Sequence, residues 1–173
     1  MYLHVRPLRR DESDLLDVVM AGMSARSRYL RFHSPVHELS PGMRRILLDV
    51  DDCMHVALVA ETRDETPVGI ARMNRVGASN KAELSVVVVD AWQRRGVGRR
   101  LANAIAARAR IAGVQALTAQ ILPGNAAALA LFASALPTHL TRYDEDGGVI
   151  VLSAAVAQSG SAVPDDMMSD LAG

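Results

Sequence analysis

The hydrophobic pattern of the chain centres on one stretch. From Ala82 to Val89 it reads as a strand, and its four consecutive valines predict burial on both faces. A polar loop crowded with Arg and Gly follows. From Gly98 to Ala112 the apolar spacing becomes helical, with Leu101, Ala104, Ile105 and Arg108 on one side and Val97 just before it. Gly113 suits a left-handed helix end. Val114 to Leu122 returns as a strand, so strand, helix and strand in this order predict a parallel pair.

The rest of the chain is patterned around that unit. His4 to Leu8 predicts a first strand. The acidic cluster Asp11, Glu12 and Asp14 marks a helix start, with Leu15, Leu16, Val18, Val19 and Met23 as its apolar side and Gly22 weakening its end. A short helix follows through Phe32, capped by Ser24 or Ser27. Tyr29 and Phe32 share a face of it, either as core anchors or as one wall of a substrate channel. Ser40-Pro41 opens another helix, with Met43, Ile46, Leu47 and Val50 facing inward. His55 to Glu61 and Pro67 to Asn74 predict a hairpin around Arg63 to Thr66. Asn125 caps a helix that Pro137 ends, and Leu140 to Tyr143 with Val149 to Val156 predict a closing antiparallel hairpin turning at 144–148. One domain over 1–157 and a flexible or packing tail over 158–173 account for the chain.

Composition narrows the function classes. Half the residues are hydrophobic and the net charge is zero, which fits a globular domain and argues against a general nucleic-acid binder. Among the basic residues only Lys81 is a lysine, so the positive charge of the central loop is all guanidinium. Cys53 stands alone, and Pro35 breaks the helical spacing of His33 and His37; no metal site is expected. The N-terminus lacks a long apolar run, so the expected setting is cytoplasmic, with no membrane.

The loop carries the candidate chemistry. Gly96 and Gly98 let the backbone pass close to a ligand, and N–H groups from Arg94 to Gly98 can converge on phosphate oxygens at a helix N-terminus. Arg94, Arg95, Arg99 and Arg100 add charge. A solvated charge run on a routine turn fits the same residues, but the buried strand before the loop and the helix after it favour a phosphate or pyrophosphate. Gly-Lys-Ser/Thr is absent, and the six-residue dinucleotide spacing is incomplete.

Gln93-Arg-Arg-Gly-Val-Gly98 resembles the acyl-CoA pyrophosphate loop of the GNAT superfamily of N-acyltransferases. The approach Asp90 to Gln93 and the segment Asn125-Ala-Ala-Ala-Leu-Ala-Leu-Phe132 extend the likeness, and the order of elements from His4 to about Val156 fits. The resemblance implies a mixed α/β fold: a central, mostly antiparallel twisted sheet, flanked by helices, whose parallel fourth and fifth strands splay apart. It implies acetyl-CoA as the acyl donor. Val87, Val88, Val89 and Asn125 would contact the pantetheine arm, and Arg94, Arg95, Gly96, Val97, Gly98 and Arg99 the pyrophosphate.

Glu83 is the expected general base. An amine acceptor is protonated at neutral pH, a nearby carboxylate can relieve it of a proton, and partial burial among valines would raise the carboxyl pKa usefully. An edge salt bridge to Arg72 is the competing role. The strand around Glu83, together with Ser27 to Phe32 and Ser34-Pro35, resembles bacterial protein-lysine acetyltransferases. That implies a protein lysine as acceptor and direct attack in a ternary complex. Phe132 stands where many relatives carry a thiolate-protonating tyrosine, and Leu136-Pro137-Thr138-His139 replaces their usual Gly-Phe. His139 or Tyr143 could approach the site, but local roles suit them better. A small-molecule amine acetyltransferase, a non-catalytic CoA-binding sensor and a homo-oligomer remain open.

Overall fold

The computed structural model describes residues 2–75, 77, 79–136, 141–145 and 148–156, the stretch 141–145 by its backbone. The expected tail at 158–173 and His139 lie outside the described residues, as does the Tyr143 side chain.

Seven strands form one sheet in the order β1-β2-β3-β4-β5-β7-β6. They are β1 (His4–Pro7), β2 (His55–Glu61), β3 (Pro67–Arg75), β4 (Lys81–Val88), β5 (Ala116–Ile121), β6 (Thr141–Glu145) and β7 (Val149–Ala155). Every neighbouring pair is antiparallel except β4 and β5, which run parallel as the strand-helix-strand order predicts. That parallel pairing is short. It joins Lys81 to Ala116, Ala82 to Leu117 and Glu83 to Thr118, and then the strands part.

Helices cover both faces. They are α1 (Ser13–Ala21), α2 (Ala25–Phe32), α3 (Pro41–Leu48), α4 (Val97–Ile111) and α5 (Ala126–Ala135). Strand β2 shows why the sheet needs two layers. Val56, Leu58 and Ala60 pack with Leu101, Ile105 and Phe132 on the α4–α5 side. Ala57 and Val59 pack with Leu16, Val19 and Met20 on the α1–α3 side. Alternate residues of one strand therefore serve two cores.

The helix starts follow local chemistry. The Ser24 hydroxyl accepts from the Ser27 N–H, and the Ser40 hydroxyl from the Met43 N–H with Pro41 in the first turn. At α1 the acidic cluster acts differently from expectation. Glu12 makes no cap; its carboxylate turns back to accept from Arg6 and from the Arg9 backbone N–H.

Several predicted faces shift. On α1 the inward positions are Leu16, Val19 and Met20, continued by Met23 beyond the helix end, and Val18 is exposed. Spacing of i, i+3, i+4 and i+7 admits those four and leaves Val18 on the opposite side. Ile46 on α3 and Arg108 on α4 also face solvent, and Ala102 and Ala109 take inward places on α4. Tyr29 is 47% exposed, so it is no core anchor, while Phe32 packs against the α1–α3 core. The valines of β4 are only half-buried. Strand β5 has left their edge by Leu84, so the burial expected of a central strand is incomplete. The last hairpin forms, with β6 running through Glu145 rather than turning at Asp144.

Candidate active site

The loop after β4 is shaped by two left-handed residues. Arg94 has φ of 58° and Gly96 of 82°, and α4 begins immediately at Val97. Gly96 meets nothing where a Cβ would stand, so it is required by conformation alone. At Gly98 a Cβ would come within 3.2 Å of Leu131 Cδ2. There the requirement is space between α4 and α5.

The first helical hydrogen bond runs from the Arg100 N–H to the Gly96 carbonyl. The N–H groups of Val97, Gly98 and Arg99 consequently have no acceptor within the helix. This positive helix end, with exposed Arg94, Arg99 and Arg100 around it, suits a pyrophosphate. Val97 is fully buried and offers only its backbone. Arg95 lies over Trp92, its Cζ 5.4 Å from the ring centroid, so its guanidinium has a local partner.

Asp90 anchors the loop to the other half of the molecule. Its carboxylate accepts from the Ser27 hydroxyl at 2.6 Å, the Ser24 N–H at 3.1 Å and the Gln93 amide at 3.0 Å. The Asp90 N–H donates to the Gly22 carbonyl, and the Gln93 amide also reaches the Val88 carbonyl at 3.1 Å. Partial desolvation alone would raise the Asp90 pKa, but these hydrogen bonds from Ser27 and Ser24 hold it below the ordinary value. The sequence marked Asp90 and Gln93 as part of a motif; their partners, some 66 positions upstream, follow only from the fold.

Glu83 lies at the point where the sheet divides. It is the last β4 residue paired with β5, and the Thr118 hydroxyl there donates to the Ala82 carbonyl at 3.4 Å. Across the other edge Glu83 faces Asn74, and Ser85 faces Arg72. Directly opposed residues of an antiparallel pair share a sheet face. Glu83, Asn74, Ser85 and Arg72 therefore form a polar group on the α1–α3 side. The Asn74 Oδ1 is buried without a hydrogen-bond partner.

The Glu83–Arg72 ion pair does not form. Arg72 instead donates to the Leu47 carbonyl and, at 3.1 Å, to the Ile46 carbonyl. It holds the C-terminal end of α3, where a cation suits the helix dipole. Burial, followed by the nearby Arg31 charge, pushes the Arg72 guanidinium down to about 10. Arg31 donates to the Ser85 hydroxyl at 3.0 Å. Burial pushes its guanidinium down as well, while the Glu83 carboxylate pulls the other way.

Asn125 has its capping role: its Oδ1 accepts from the Ala128 N–H at 3.1 Å, which leaves its amide NH₂ for other work. Phe132 is buried in the α4–α5 core. Cys53 is exposed in the turn before β2. Among the described residues no helix is long and apolar enough to cross a membrane.

Residues 23–136 match the profile of the acetyltransferase (GNAT) family. The crystal structure of the GNAT domain of S. lividans PAT is similar, with a TM-score of 0.82 and 30% sequence identity over 88% of this chain and 90% of that one. An acetyltransferase of Pseudomonas aeruginosa, PA5475, is 29% identical over 96 residues, which are 54% of this chain. The match takes in 52% of that relative, so the chain spans about half its length. A spermidine N-acetyltransferase from Vibrio cholerae, solved with CoA and spermine, shares the fold at a TM-score of 0.68 and 15% identity, over 89% of this chain and 95% of that one.

Proposed function

The chain belongs to the acetyltransferase (GNAT) family, and on that premise we propose that it moves an acetyl group from acetyl-CoA to a primary amine, with Glu83 as general base and a protein lysine as acceptor. The observation that carries this reading is the division of the sheet. The gap between β4 and β5 begins directly after Glu83, and the glycine loop follows at the end of the same strand. One strand thus links the base to the phosphate-binding turn.

When bound, acetyl-CoA supplies a thioester whose acetyl group is activated for attack. The chain's own residues supply the rest. On the order of one lysine in 10³ is neutral at pH 7, so the acceptor must lose a proton before its nitrogen can attack. Glu83 takes that proton, directly or through a water. Asn74, opposite it on the same sheet face, keeps a buried, unpartnered Oδ1 behind the base. The nitrogen–carbon bond forms as the carbon–sulfur bond breaks, and the electron pair leaves on sulfur. Phe132 has no proton to give and is enclosed in the core, so we assign protonation of the departing thiolate to water. The N–H groups of Val97, Gly98 and Arg99, with Arg94 beside them, hold the pyrophosphate; the parted edge of β4 from Val87 to Val89 and the Asn125 amide receive the pantetheine arm.

The protein-lysine assignment rests on the resemblance of the Glu83 strand and the Ser27–Phe32 segment, supported by the partly open setting of Glu83. Release of CoA thiol, followed with a protein pool and with a panel of small amines in parallel, tests it. Lysine-dependent turnover on protein is expected. Turnover confined to small amines would transfer the acceptor role to them, and tight CoA binding without turnover on either would replace catalysis by a sensing function.

A further inference from the structure

The sheet face that carries Glu83 also carries two guanidinium groups, those of Arg31 and Arg72. Among the described residues no carboxylate lies within ion-pair distance of Arg31 or Arg72. Arg72 is 4% exposed and spends its hydrogen bonds on the end of α3. Arg31 is freer. Of the five N–H donors a guanidinium possesses, one reaches the Ser85 hydroxyl, and the group lies 5.2 Å from the Phe32 ring centroid.

Arg31, Arg72 and Ser85 border a cavity of about 30 Å³ whose other walls, among them Leu16, Met20 and Ile70, are apolar. That is room for roughly two waters or a carboxylate head. Two guanidinium groups in such surroundings repel one another and pay for desolvation, and Glu83 and Asp49 act on them only beyond ion-pair distance. An arriving carboxylate would relieve both. Arg31, Ser85 and Glu83 are each partly exposed; Ser85 borders the cavity, and Glu83 lies two residues before it on the same face of β4.

Resting on the acetyltransferase reading, we propose that Arg31 and Ser85, reinforced by the charge of Arg72, form an anion subsite that receives a carboxylate of the acceptor. Ser85 lies two residues from Glu83 on one strand, about 7 Å along the chain. The acceptor therefore carries its carboxylate several bonds from the nitrogen that attacks. A free amino acid with a distal amine meets that requirement, and so does a protein lysine beside an acidic residue. A polyamine would bring a second cation toward Arg31 and is disfavoured.

The test compares matched acceptors on the full chain. One pair is 6-aminohexanoate and 6-aminohexanamide; the other is a lysine peptide with a flanking Glu and the same peptide with Gln. Within at least one pair the carboxylate form is expected to have a KM lower by roughly tenfold. The pair that shows the difference identifies the source of the carboxylate. In Arg31→Gln the ratio should fall toward one, and Ser85→Ala should reduce it in the same direction with less disturbance of the fold. Equal KM values within both pairs for the unmodified protein would overturn the subsite, as would a ratio unaffected by Arg31→Gln. Calorimetry of 6-acetamidohexanoate and its amide on CoA-loaded Glu83→Gln gives a reading independent of turnover: tighter binding of the acid supports the subsite, and equal binding overturns it. Persistent turnover in Glu83→Gln with the carboxylate preference intact would remove the proposed base and leave the subsite standing.

Discussion

Three glycines in or near the site answer to different constraints, and substitutions should separate them. In Gly98→Asp the new side chain stands at the helix end proposed to hold phosphate and presses on Leu131, 3.2 Å from the Cβ position. A carboxylate in the first turn suits the helix dipole, which offsets part of the crowding against Leu131. CoA affinity, measured by calorimetry, should fall by roughly tenfold or more; unchanged affinity would remove the loop from the phosphate site. Gly22→Ala acts elsewhere. Its Cβ would lie 2.5 Å from Val89 Cγ1, and valine has little rotamer freedom to move aside. A loss of about 1–3 kcal/mol in chemical denaturation is expected. Gly96→Ala meets no neighbour but must hold φ of 82°, which costs about 1–2 kcal/mol and favours a different loop shape.

Between elements, Asp90 is the main tie from the loop to the α1–α2 turn. Its folded pKa is depressed below the ordinary 3.8, chiefly through Ser27 and Ser24 once desolvation is offset. A depressed carboxyl contributes stability above its unfolded pKa and loses it as pH falls through the folded value. Denaturation of the unmodified protein and of Asp90→Asn should therefore show the greatest difference near neutrality and a narrowing one below about pH 4. A difference that stays constant with pH would deny the ionised carboxylate this role. Local signals of this kind are only partly visible in the sequence. Ser24, Ser40 and Asn125 could be read as caps because a cap needs three or four consecutive residues. The partners of Asp90 and Arg72 are set by packing across the sheet, and so Arg72 could be matched with Glu83 by proximity in the strand pattern when it in fact holds α3. The valine run misled for a related reason: its composition speaks for burial, but its exposure is decided by how far β5 follows β4.

At the scale of the whole molecule, the division of the sheet brings two chemistries together. On the α4 side the helix start and arginines suit a phosphorylated carrier. On the α1–α3 side Glu83, Asn74 and Arg31 gather beside an otherwise apolar core. The motif made the first legible, since it is continuous in sequence. The second is assembled from α2, β3 and β4, and only Glu83 could be singled out beforehand. The central claim is that Glu83 acts on the acceptor and has no part in holding the carrier. Turnover of Glu83→Gln, measured by thiol release at saturating acetyl-CoA alongside calorimetric CoA binding, tests this most directly. The account predicts a fall in kcat of roughly 10²- to 10⁴-fold with CoA affinity retained. Turnover equal to that of the unmodified protein would contradict it.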